Sequence, residues 1–165
     1  SKMMAECMET LEKQYECQQF ELVLVESLSN FGCPQELELG EHAKVALLSV
    51  TEGEEQPLKY PALFEKADCL LLTKIDLAPY LDIDITRIAA YIRQINPNIT
   101  ILPVSAKTGI GLEDWFDWLE TKMARATAIV SVWLAGMFST SDLWLDFLAE
   151  ELNLVGGFSD LLVSI

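Results

Sequence analysis

An ammonium and a carboxylate two residues apart, at the end of an apolar run, are the residues of this chain best placed for chemistry. The run is Leu70 to Asp76, LLLTKID. Its apolar part reads as a buried parallel strand, near-continuously hydrophobic rather than alternating. In open α/β sheets, ligand groups sit just past the carboxyl ends of such strands, and Thr73, Lys74 and Asp76 fall there. A carboxylate at that place accepts two N–H bonds from a guanine edge, one from the ring N–H and one from the exocyclic amine. Adenine lacks that donor pair. The Lys74 stem can lie along the base plane while its ammonium stays in water. A lone Thr-Lys-x-Asp also fits an ordinary strand end with two solvated side chains, because four-residue motifs match by chance.

A second stretch changes the weighing. Ile101 to Gly109 reads ILPVSAKTG, another short apolar run followed by Ser105, Ala106 and Lys107. It is similar to the strand-end loop that closes over guanine in GTPases, where a backbone N–H bonds the base oxygen. The two motifs stand in the order such a site requires, with a helix-like segment between them. Together they favour a guanine site.

Those loops need a sheet to hold them. Phe20–Val25, Lys44–Val50, Leu70–Thr73 and Thr100–Val104 are predicted strands. Met3–Tyr15, Ala62–Lys66, Asp84–Gln94 and Leu112–Met123 are predicted helices. Ile85, Ile88, Ala89 and Ile92 share one face of the third helix, which stops at Asn96-Pro97. Leu112, Trp115, Phe116 and Leu119 point inward from the fourth. Ser27–Pro34 is a loop of turn formers, and Thr51–Pro57 is an acidic loop. Strands alternating with helices predict βαβ units, right-handed crossovers and a three-layer α/β fold on a mostly parallel sheet.

The last forty residues or so read differently. Thr127–Ala135 is either a buried strand or part of a helix, Gly136–Ser141 a loop, and Asp142–Leu152 a helix with Leu143, Phe147, Leu148 and Leu152 on one face. Strand, loop, helix is the layout of a phosphate-binding unit. The loop, however, reads GMFSTS, with no second glycine and no Lys to cradle a triphosphate. The division expected is 1–125 as one domain and 126–165 as a tail packed on or in it.

Composition narrows the partners. The chain has 165 residues, half of them apolar, with 26 acidic against 11 Lys and Arg and a net charge of −15. One domain with a sizeable core is the default. No basic stripe exists for nucleic acid or an anionic membrane. The acidity fits cation handling and fits ordinary solubility charge as well. Cys7, Cys17, Cys33 and Cys69 form no CxxC pair, so no closed structural zinc site is indicated. Cys69 lies in an apolar strand and belongs to the core. The apolar stretch Ala126–Phe138 is too short for a membrane-spanning helix, and no secretory leader is apparent. A reducing cytoplasm is the expected location.

Two long stretches resemble a known family. ESLSNFGCPQELELGEHAKVALLSVTEGEEQPLKYPALFEKADCLLLTKIDLAPYL and INPNITILPVSAKTGIGLEDWFDWLE resemble the hydrogenase nickel-incorporation GTPases (HypB), a class of metallochaperone. The likeness spans roughly residues 20 to 122. It implies a P-loop GTPase-type domain that binds GTP or GDP with Mg²⁺ and hands nickel to a [NiFe] hydrogenase precursor. It further implies a homodimer carrying a Ni²⁺ or Zn²⁺ site, and contact with other nickel-handling maturation proteins and the hydrogenase large-subunit precursor.

Carried onto this chain, Lys74 and Asp76 match the guanine-reading residues, and Ser105, Ala106 and Lys107 the second base loop. Glu26 matches a switch residue. Cys33, in the Gly-Cys-Pro turn, matches a metal-ligating cysteine, and thiolate sulfur suits either metal; a free thiol on a turn is the plainer alternative. His42 can serve as a second ligand, although a lone His beside Glu41 reads equally as surface. Ser29 stands where the family carries a glycine that meets the γ-phosphate. The family's Gly-rich phosphate loop and Cys-His pair belong upstream of Ser1, so the domain is expected to be N-terminally incomplete and, alone, unable to hydrolyse GTP. In the family, the strand feeding that loop sits inside the sheet. Thr127–Ala135 is apolar enough to fill such a gap, expected between Phe20–Val25 and Leu70–Thr73.

Overall fold

The computed structural model describes residues 22–27, 42–123, 128–134 and 161–164. Among them, six strands form one sheet: β1 Leu22–Ser27, β2 Ala43–Ser49, β3 Cys69–Thr73, β4 Thr100–Pro103, β5 Ala128–Leu134 and β6 Leu161–Ser164. The order is β4-β3-β2-β5-β1-β6, and every neighbouring pair is parallel. Hence all the strands end on one edge of the sheet. The helices are α1 Gln56–Lys59, α2 Ala62–Glu65, α3 Ala78–Leu81, α4 Ile85–Ile95 and α5 Leu112–Met123, with 3-10 turns at Val50–Glu52 and Ile75–Leu77. The fold is the expected α/β class.

Two apolar clusters make it three-layered. Because strand side chains alternate between faces, Ala43, Val45, Leu47, Cys69 and Leu71 meet Leu112, Trp115 and Leu119 of α5 on one side. Ala46, Leu48, Leu70 and Leu72 meet Ile88 and Ile92 of α4 on the other. The residues of β3 are all buried, which is why its sequence runs apolar without alternation. Each fully buried Leu or Ile contributes on the order of 1.5–3 kcal/mol. Cys69 is part of this core, and burial pushes its thiol up to about 12. Trp115, fully buried, stacks on Trp118 at 5.5 Å. Its Nε1 meets no acceptor among the described residues.

Helix α4 begins where Asp84 accepts from the Thr86 N–H at 2.8 Å, the usual work of an N-cap carboxylate. Its buried residues, Ile88 and Ile92, are one turn apart on the predicted face. β4 pairs only with β3 among the described strands. Pro103 puts no N–H on it, which blunts the edge. Gly111 then packs against the Pro103 carbonyl so closely that a Cβ there would lie 2.1 Å from the oxygen, and its φ of +79° is one that glycine adopts freely.

Several boundaries differ from expectation. β1 runs to Ser27, two residues beyond the predicted Val25. The strand of Lys44–Val50 is Ala43–Ser49, because Ser49 caps a 3-10 turn starting at Val50. The acidic loop Thr51–Pro57 is largely structured by that turn and by the start of α1, with Pro57 in the first turn of the helix. Of the two readings of Thr127–Ala135, the strand holds, within Ala128–Leu134. It lies inside the sheet, but its neighbours are β1 and β2, not β1 and the Leu70–Thr73 strand. β2 separates it from β3. The strand β6 has no counterpart in the sequence reading. The predicted helices Met3–Tyr15 and Asp142–Leu152 lie outside the described residues.

Candidate functional site

The carboxyl edge of the sheet gathers the sequence-selected residues. Thr73 is the last residue of β3 and is 5% exposed. Lys74 follows in the left-handed region at φ 59°, which turns the chain sharply off the strand. Asp76 then sits in the 3-10 turn Ile75–Leu77. The β3 and β4 ends are tied together by the Val104 N–H donating to the Leu72 carbonyl at 2.8 Å and the Ile75 N–H donating to the Val104 carbonyl at 3.3 Å.

Ser105 links the two motifs. It is fully buried, and its Oγ donates to Asp76 Oδ1 at 2.6 Å, a short charge-assisted bond. The same Oγ accepts from the Thr108 N–H at 3.3 Å, so both hydroxyl functions are used inside the protein. Asp76 is half-buried, and its Oδ2 meets no donor among the described residues. The loop itself is closed by the Ser105 N–H on the Ile110 carbonyl and by the Gly109 N–H on the Ser105 carbonyl, both at 2.9 Å. Ala106 is half-buried and Lys107 exposed at its tip. No described residue accepts from the Ala106 N–H. One carboxylate with an oxygen to spare, one loop N–H and one Lys stem therefore stand on neighbouring strand ends.

Neither of the other described candidates, Glu26 and His42, joins this group. Glu26 lies in β1, at the far side of β5 from β2, with its backbone in register with Val132. Cys33 lies outside the described residues, as do Cys7, Cys17 and Ser29. His42 is exposed, next to the start of β2 and so at the sheet's opposite edge. Among the described residues no three of His, Cys, Asp or Glu are grouped to hold a metal ion.

Sequence reasoning missed the segment that carries Asp76 onward. The 3-10 turn and α3 form one unit, bounded by Lys74 at φ 59° and Asp82 at φ 53°. Beyond it, Glu54 Oε1 accepts from the Asp84 N–H at 2.7 Å, and Glu54 Oε2 accepts from Arg87 Nη1 at 2.8 Å. These bonds hold the Glu54 carboxyl below its ordinary pKa, the Asp84 N–H first and the Arg87 guanidinium second. Asp84 is likewise lowered, chiefly by its bonds from Thr86. The signal available was Asp82 followed by Asp84: Asp tolerates the left-handed region and caps helices.

A parallel three-layer α/β domain with its polar loops on the carboxyl edge is the class of protein that fold and site define. Residues 1–103 match the family model for the CobW/HypB/UreG nucleotide-binding domain. The chain belongs to that family. The hydrogenase maturation factor HypB of Cupriavidus necator is 48% identical over 107 residues, 65% of this chain and 30% of that protein. HypB of Escherichia coli K12 is 48% identical over 101 residues, 61% of this chain and 35% of that protein. The chain thus spans about a third of the length of these curated relatives.

Solved structures agree on the fold. HypB from Archaeoglobus fulgidus superposes with a TM-score of 0.58 at 22% identity, over 70% of this chain and 81% of that one. HypB from Helicobacter pylori in complex with nickel superposes with a TM-score of 0.53 at 30% identity, over 58% of this chain and 45% of that one. Among the described residues no helix is long and apolar enough to cross a membrane.

Proposed function

We propose that this chain carries the base-recognition part of a guanine-nucleotide domain that serves nickel delivery in [NiFe] hydrogenase maturation. The observation that carries the reading is the Ser105 Oγ–Asp76 Oδ1 bond of 2.6 Å. It fixes the carboxylate and leaves Oδ2, and the second lone pair of Oδ1, for a ligand. A carboxylate so held meets the ring N–H and exocyclic amine of guanine, while the Ala106 N–H meets the base oxygen. Lys74 and Lys107 lay their stems against the two faces of the base, and Thr73 closes the strand end beneath it.

Nickel enters as cargo. The curated relatives are hydrogenase maturation factors, and one similar structure holds nickel. Cys33 is the ligand we assign to Ni²⁺ or Zn²⁺, and Glu26 the switch residue on the phosphate side of the nucleotide, where Mg²⁺ would be met. A homodimer fits the exposed apolar residues Tyr80 and Leu81, 85% and 45% exposed beside the base site. Other nickel-handling proteins and the hydrogenase large-subunit precursor are the remaining partners of this reading.

A second reading is a metal-binding or interaction module that turns nothing over. It is favoured by one feature of these 165 residues: the strand-loop-helix candidate reads GMFSTS and offers no phosphate-cradling Lys. Both readings predict that the chain alone does not hydrolyse GTP. They part on nucleotide. Titration with GDP, with ADP as control, is expected to give binding to GDP that is absent in Asp76→Ala; equal response to ADP would sink the guanine assignment. Nickel titration of the wild type and Cys33→Ser tests the cargo site in parallel.

A further inference from the structure

The segment bearing Asp76 is pinned at both ends, and only one of the pins belongs to the base loops. At its start are the Ser105–Asp76 bond and the Ile75 N–H on the Val104 carbonyl. At its end is Glu54, which reaches across from the loop after β2 to take the Asp84 N–H at 2.7 Å, while Arg87 Nη1 holds its second oxygen at 2.8 Å. The Glu54 side chain is only 16% exposed, against 60% for Arg87. The chain passes through the left-handed region just before each pin, at Lys74 and at Asp82, the only non-glycine residues with positive φ among those described.

Left-handed non-glycine residues persist only where their surroundings over-determine them. At Asp82 the determinants are the α3 carbonyl of Ala78, which takes the Ile83 N–H at 3.3 Å, and the Glu54 grip two residues on, at the Asp84 N–H. Release of Glu54 lets Asp82 relax to a right-handed or extended conformation. The 3-10 turn and α3 are continuous with it, so the relaxation moves Asp76 relative to the Ser105 loop. α3 packs beside the Val50–Glu52 turn on which the Glu54 loop is built, so the latch and the unit it holds share one support.

We propose that Glu54 and Arg87 are positioning residues for base recognition: through the Asp84 N–H they hold the 75–84 segment, and so set the angle at which the Asp76 carboxylate meets the two donors of guanine. The proposal rests on the guanine reading above. Neither residue touches the base. A mispointed carboxylate loses the bond to the exocyclic amine before it loses affinity generally, because the ring N–H and the stacking contacts are shared with hypoxanthine.

The test is titration of the full chain with GDP and with inosine diphosphate, which lacks the exocyclic amine, followed by amide chemical shifts. The wild type is expected to prefer GDP by about tenfold, the worth of one hydrogen bond to a charged group. Glu54→Ala is expected to cut that preference to about twofold. Glu54→Gln, which can still accept from the Asp84 N–H, is expected to restore most of it, with Arg87→Met in between. A Glu54→Ala chain that loses affinity for both ligands equally, or keeps its preference, overturns the latch and leaves the guanine reading intact. A wild type that does not distinguish the two ligands overturns both. The amide spectrum itself reports whether each variant is folded.

Discussion

The two edges of the sheet are built from the same residue types and do different work. At the amino edge every polar group named here is spent on the protein. The Asp68 N–H donates to the Lys44 carbonyl and Asp68 Oδ2 takes the Lys44 N–H, both at 2.8 Å, while the Thr100 N–H reaches the Asp68 carbonyl at 3.1 Å. Asn96 Nδ2 spans the carbonyls of Phe64, Glu65 and Ala67 at 3.0, 3.3 and 2.9 Å, and Asn96 Oδ1 takes the Asn98 N–H. Three strand starts and the ends of α2 and α4 are thereby clasped. At the carboxyl edge Asp76 spends one oxygen on Ser105, the Ala106 N–H meets no acceptor among the described residues, and the backbone takes two left-handed turns. Polar groups satisfied internally stabilise a fold; those held in place but left unsatisfied are what a ligand can use.

That contrast is open to attack by mutation. The largest effect is expected at Gly111, where an added Cβ meets the Pro103 carbonyl oxygen at 2.1 Å and the φ is positive. Gly111→Ala should cost roughly 3 kcal/mol and weaken GDP binding as well, because the backbone beneath the Ser105 loop must shift. Urea unfolding and GDP titration on one preparation would check both effects.

Next come two substitutions that should separate the edges. Asp76→Ala should abolish measurable GDP binding and cost about 1–3 kcal/mol of stability, since it strips a charge-assisted bond from the buried Ser105 hydroxyl. Asn96→Ala should cost about 1–3 kcal/mol by stripping a donor from three carbonyls and leave GDP affinity unchanged. Matching losses of stability and affinity in both variants would erase the distinction. A finer probe is Asp76→Asn. An amide offers one acceptor and one donor, which suits the C2 carbonyl of xanthine, so preference should move from GDP to xanthosine diphosphate by roughly tenfold.

The smallest effect is in pH. Glu54 and Asp84 both sit below their ordinary values of 4.5 and 3.8. A carboxyl lowered on folding contributes stability that is complete above its unfolded pKa and lost as pH falls through the folded one. The melting temperature should therefore decline below about pH 4.5, and the decline should be shallower in Glu54→Gln. Identical acid profiles would show that the Glu54 bonds contribute nothing to the fold.

How far the residues themselves announced this depends on the element. Helix α4 was legible because isoleucines on one face and a closing Asn-Pro agree locally. β3 was legible because burial on both faces leaves a strand no room for polar residues. Thr73, Lys74, Asp76 and Ser105 could be singled out by type and order, but not the bond that joins two of them. β6 could not be seen, since LLVS is too short to distinguish from any apolar tetrapeptide. The Glu54–Arg87 contact joins residues 33 positions apart and follows from no local pattern.

By itself the sequence determined the α/β class, the parallel sheet and the residue types at two strand ends, because periodicity and residue type act over a few neighbours. Only the tertiary structure decided that β5 enters between β1 and β2, that Ser105 turns its hydroxyl onto Asp76, and that Glu54 grips the far end of the same segment. Those outcomes depend on which strands lie side by side, and strand order is set by the packing of whole elements rather than by any stretch of residues read alone.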